Sequence, residues 1–226
     1  MSKFGLAAAA VTLALAFIPA LVRAAEDPAA QYSLALFDQA CLQNFGHLDR
    51  VHDWAQSRNL APIVNPRALE IFLGSRPAPL TNERAVAGGG VVNLGRAWAI
   101  PEPSGRFVLS TRYDPESCIT WAQAADPMQV EAGFQRIVER SSKSGVRVSV
   151  EQDKRIDVPS ASVHVQVVRF WTGGPETSFA LALATVSRPG GPFQAMIQIQ
   201  RVIAVDDPIN PGIPLEPPRP VAAAPQ

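Results

Sequence analysis

Three histidines and two cysteines are all that this chain of 226 residues carries. The cysteines, Cys41 and Cys118, are far apart and form no CxxC, which argues against a thiol oxidoreductase. An excess of basic residues is also missing. Lysine and arginine number 20, aspartate and glutamate number 20, and the two signs are mixed along the chain. A nucleic-acid partner is therefore not expected, because neutralising phosphates supplies most of that affinity and needs a basic face. The glycine-rich AGGGVVNLG, with Gly88, Gly89, Gly90 and Gly95, is followed by no lysine and hydroxyl pair, and Asn93 breaks the dinucleotide pattern. No serine stands in a nucleophile elbow, and none precedes a lysine by three in the mature chain. No cofactor is expected.

One long apolar run is present, at the start. Lys3 is followed by an apolar stretch from Phe4 to Ile18, then Pro19 and a small-residue exit, the layout of a secretory signal peptide. Val22 and Ala24 suit the two recognition positions, so residues 1–24 are read as the leader, with cleavage between Ala24 and Ala25. No second run is long enough to cross a bilayer, so no membrane span is expected once the leader is removed. The mature chain loses Lys3 and Arg23, leaving 18 basic against 20 acidic residues and a net charge of −2. In the oxidising compartment that export implies, two cysteines predict one disulfide.

Residues 25–205 read as one α+β domain. Residues 31–74 are predicted helical. Leu34, Phe37 and Cys41 form a first stripe closed at Gly46; Leu48, Val51 and Ala55 form a second, ending near Asn59; Asn65, Pro66 and Gly74 punctuate a third. Residues 75–90 lack a period and are expected to be a loop. Sheet and helix fill residues 91–203. Strands are predicted over 91–98, 106–113 and 118–122, then a helix opens at Asp126 and Pro127 with Gln129 as capping-box partner. Further alternation runs through Val146, Val148 and Val150, through Val163, Val165 and Val167, through Phe179, Leu181 and Leu183, and through Phe193, Ala195, Ile197 and Ile199. Gln194, Gln198 and Gln200 lie between them. The pattern describes an antiparallel sheet with one face covered by helices and one wet. Residues 206–226 hold seven prolines and are expected to be an extended, disordered tail.

Only one cluster has chemistry-bearing residues. In CLQNFGHLDRVHD, His47 and His52 are five positions apart and diverge by about 140° on a helix, so they cannot chelate one ion. Asp49, His52 and Asp53 do share a face. That face lies opposite the apolar stripe, where solvated charge is expected, and its alternative reading is a metal site with His164 as a distant third ligand. Trp98, Trp121 and Trp171 all fall on predicted strands, where they pack a core or an edge, or form an exposed aromatic row for a sugar or an acyl chain.

FDQACLQNF, the strand with Trp98, CITWAQAADPMQVEAGFQRI and GPFQAMIQIQ together resemble a group of short exported bacterial proteins of unknown function, over residues 33–203. The resemblance implies an envelope location and the pairing of Cys41 with Cys118, which tethers the N-terminal helices to the sheet. It implies no activity. The sequence is thus read as a periplasmic or extracellular protein without intrinsic catalysis, a binding or envelope-assembly module whose partner is an envelope protein or a small ligand. The alternatives are a metal-assisted hydrolase using Asp49, His52 and Asp53, and a carrier of a small apolar ligand.

Overall fold

A computed structural model describes residues 26–73, 83–85, 91–93, 95–113, 115–142, 146–171, 178–189, 191 and 193–202. The expected leader and cleavage point, most of the expected loop over 75–90, and the proline-rich residues 206–226 lie outside them.

Helix α1 (Pro28–Leu36) begins at Asp27, whose carboxylate accepts from the Ala29 and Ala30 N–H groups. The next segment departs from α-helical geometry. Phe37–Leu42 is a π turn, in which the Gln43 N–H donates to the Asp38 carbonyl at 3.0 Å. The wider turn changes where side chains point, and here it carries Phe37 and Cys41 fully into the core. Gly46, at φ +81°, ends the segment in a left-handed conformation that glycine adopts without strain. Helix α2 (Leu48–Ser57) stops before Asn59, also left-handed at φ +52°. After the short strand β1 (Ala61–Pro62), Asn65 caps α3 (Pro66–Leu73) by accepting from the Arg67 and Ala68 N–H groups.

The expected loop contains a strand. β2 (Glu83–Ala85) pairs antiparallel with β3 (Val91–Asn93) in a separate two-stranded ribbon. Three residues are too few for alternation to be legible. The strand expected over 91–98 accordingly splits between this ribbon and β4 (Gly95–Glu102) of the main sheet.

β4 continues into β5 (Gly105–Tyr113) and β6 (Glu116–Ala122) as a meander. Helix α4 (Pro127–Ser141) then leads to a second meander of β7 (Arg147–Val158), β8 (Ala161–Trp171), β9 (Phe179–Val186) and β10 (Ala195–Arg201). The last strand returns to pair with β6, giving one eight-stranded antiparallel sheet ordered β1-β4-β5-β6-β10-β9-β8-β7. Exposed Asp153, Lys154, Arg155 and Asp157 line the outer strand β7, and charge of this kind discourages pairing with another chain.

The capping box expected at α4 is built across two helices instead. Asp126 does accept from the Met128 N–H at 2.9 Å, but its own N–H donates to Asp27 Oδ2 at 2.6 Å. Gln129 Oε1 accepts the Asp27 N–H at 2.8 Å, so each helix start completes the other. The two helices approach so closely at Gly133 that a Cβ added there would collide with the Leu34 side chain. Val130, Phe134 and Ile137 of α4 join Phe37, Leu109, Leu183, Ile197 and Ile199 in the main core.

The opposite side of the sheet is not wet throughout. Ile119, Trp121 and Met196 are buried there, with the partly buried Phe72 of α3 packed against them, and Val165 and Val167 cluster with Ala182. Gln194 and Gln198, expected to face water, are buried as well. Register explains the misassigned strand β8. His164 pairs with Thr185, Thr185 with Ala195, and Ala195 with Ala122. Cross-strand partners share a face, so His164 points to the main core side and Val163, Val165 and Val167 to the other. Because β8 carries valines on both sides, its alternation did not reveal which of them faces the main core. Among the described residues no helix is long and apolar enough to cross a membrane.

The Cys41–Cys118 disulfide is formed, with Cα atoms 5.4 Å apart.

Candidate functional site

Asp49, His52 and Asp53 do not act as one group. Asp49 and Asp53 are exposed, whereas His52 is only 6% exposed and joins Leu48, Val51 and Ala55 on the buried side of α2. Its Nε2 is 3.1 Å from Thr111 Oγ1 and its Nδ1 is 3.4 Å from the Tyr113 hydroxyl, with the Trp98 ring centroid 5.3 Å away. Burial pushes the His52 pKa down, Arg96 adds to this, and Asp49 and Asp53 oppose it. Burial and Asp49 raise that of Tyr113. Among the described residues no three histidine, cysteine, aspartate or glutamate side chains are placed to hold a metal. Exposed His47 lines an open pocket of about 410 Å³ with Leu48, Asp49, Arg50, Tyr113 and Glu116.

His52→Ala is therefore expected to be costly rather than mild, at about 2 kcal/mol, from the lost packing and the stranded Thr111 and Tyr113 hydroxyls. Urea unfolding of the variant checks this; a change within about 0.5 kcal/mol, the usual range for surface substitutions, would place His52 outside the core.

His164 has a different set of partners. Its Nε2 lies 2.9 Å from Asp153 Oδ1 and its Nδ1 3.2 Å from Glu131 Oε1 on α4. Glu131 also accepts from the Thr185 hydroxyl at 2.6 Å and pairs with Arg155 at 2.5 Å. Sequence reasoning missed this cluster. The available signal was a carboxylate beside the α4 stripe of Val130 and Phe134, facing a sheet with one internal histidine.

The three strand tryptophans do not form a row. Trp98 lies in the main core, Trp171 lies near the Arg147 and Arg169 guanidinium groups, and Trp121 lies on the opposite face with Phe72. Beside Trp121 is a cleft of about 430 Å³, lined by Phe72, Ile100, Val108 and Trp121, with Arg106 and Gln123 as its polar members. Helix α3 supplies one wall and strands β4, β5 and β6 the other. Trp121 is held in place: its Nε1–H donates to Ser110 Oγ at 3.0 Å, and Phe72 and Phe193 meet it edge-on at 5.5 and 5.0 Å.

No protein-family model, curated protein or solved structure matches this chain.

Proposed function

We propose that the protein is an exported, non-catalytic binding module that carries a small amphiphile, an apolar body with an anionic head, in the cleft at Trp121. The carrying observation is an apolar cleft whose size falls in the range of small-molecule sites and whose aromatic wall is already fixed. Arg106 is exposed and has no ion-pair partner among the described residues, so a carboxylate reaching it displaces nothing. Rigid aromatic walls lose little entropy on binding, and one cation gives the ligand a direction. Export is supported by the apolar leader and by a disulfide, which persists in oxidising compartments.

Titration with a dansylated undecanoate tests the reading. Saturable one-to-one binding is expected, weakened about tenfold by Arg106→Glu, since a charge-assisted hydrogen bond contributes about 1.5–3 kcal/mol. Solvent extracts of the exported protein should contain an acyl carboxylate by mass spectrometry. Binding unaffected by both Arg106→Glu and Phe72→Ala would remove the cleft as the site.

A further inference from the structure

Helix α3 is the short wall of the Trp121 cleft. Eight residues are too few to hold a helix in water without packing, so its position depends on what it lies against. Its apolar side is narrow: Leu69 is buried, Phe72 and Leu73 are partly buried, and Ile71 is 49% exposed. Asn65 satisfies N–H groups at the start of the helix, but the carbonyls of its last turn have no intrahelical donor. One of them, the Phe72 carbonyl, is met from the sheet, where the Ser110 hydroxyl on β5 donates to it at 3.4 Å. The same oxygen accepts the Trp121 Nε1–H at 3.0 Å. A serine hydroxyl has one proton to give and lone pairs to receive with, and here both are used. Ser110 is fully buried, and its strand partner Ile119 belongs to the cluster of Trp121 and Met196.

We infer that Ser110 is the positioning residue of the cleft and sets its ligand specificity. Ser110 does not line the cleft, so it acts through the two walls that do. Its hydroxyl ties the Phe72 carbonyl on the α3 wall to the Trp121 indole on the β6 wall, and the two rings meet edge-on with centroids 5.5 Å apart. The aromatic side chains could not make this link to each other, since an indole N–H only donates and a phenyl ring has no polar atom. A cleft of fixed width takes a thin, unbranched chain and rejects a bulky body, whereas a wall free to move repacks around either. Ser110 thus gives the carrier a preference by shape, while Arg106 gives the ligand a direction. The specificity role rests on the carrier reading; the tie between the walls rests on the hydrogen bonds alone.

The test compares the full mature chain with Ser110→Ala and Ser110→Thr. Without any ligand, amide hydrogen exchange in α3 is expected to speed up about tenfold in Ser110→Ala, the fold-change of one net hydrogen bond, while β5 and β6 keep their protection. Ser110→Thr retains a hydroxyl and is expected to restore the protection of α3. Unchanged exchange in α3, equal acceleration in α3 and the sheet, or a threonine variant as labile as the alanine one overturns the tie. With ligand, displacement of dansylated undecanoate by decanoate and by adamantane carboxylate gives a ratio of affinities. The preference for decanoate is expected to fall about fivefold in Ser110→Ala and to return in Ser110→Thr. An unchanged ratio overturns the specificity role. Faster α3 exchange in Ser110→Ala with no probe bound by any form keeps the tie and sinks the carrier, and the specificity role with it.

Discussion

Reducing the Cys41–Cys118 bridge is expected to destabilise the fold by about 4.5 kcal/mol, the chain-entropy value for a closed loop of this length. That is comparable with the whole stability of many domains. Both cysteines are buried, one on the π turn and the other on β6 in the middle of the sheet, paired with Thr111 and Ile199. Residues 37–60 are expected to lose hydrogen-exchange protection first. Helix α1 should stay, because Asp27 remains bonded to Asp126 and Gln129 and Leu34 remains seated on Gly133. Cys118→Ser should behave like the reduced protein. Simultaneous exchange of α1 and the sheet in the first transition would refute this order, and freely alkylated thiols in native protein would refute the bridge.

Glu131→Ala is expected to cost about 3 kcal/mol at neutral pH, since it strands the Thr185 hydroxyl and leaves His164 and Arg155 without their shared carboxylate. Exposure of the Arg155 side chain keeps the figure at the low end for a broken pair. The same residue sets an acid dependence. Burial pushes the Glu131 pKa up, but the Thr185, Arg155 and His164 bonds outweigh it and hold the group below its ordinary value of 4.5. A depressed carboxylate stabilises the fold fully above that value and loses the contribution as pH falls through the lowered one. The wild-type protein should therefore lose stability below pH 4.5 more steeply than Glu131→Gln, measured as Tm against pH. Parallel profiles would show that Glu131 is not ionised against these partners in the fold.

Candidate-site chemistry was legible only in fragments. Trp121 stood out as a strand tryptophan, yet the cleft beside it exists because α3 packs across β4 and β5, a long-range placement with no local signature. Asp49, His52 and Asp53 looked like one face because three neighbouring polar residues on a helix span a wide arc. The stripe of Leu48, Val51 and Ala55 is completed by a fourth member at position 52, and histidine fits there because Thr111 and Tyr113 meet both ring nitrogens. A hydrophobic stripe gives the direction of burial, while its width depends on what the helix lies against.

The elements whose cause is local were determined by the sequence itself: the Asn65 and Asp126 caps, the Gly46 and Asn59 endings, and the alternating strands of an antiparallel sheet. Capping and period act within a few residues, so they are written in the residues concerned. The Cys41–Cys118 pairing was also accessible, since two cysteines leave one choice. Tertiary structure alone decided that Asp27 completes the α4 start, that His164 turns toward Glu131, and that Trp121 lines a cleft on the face away from the main core. Each of these depends on which distant segment supplies the partner. Polar groups must be satisfied somewhere, but the chain's local pattern does not say by whom.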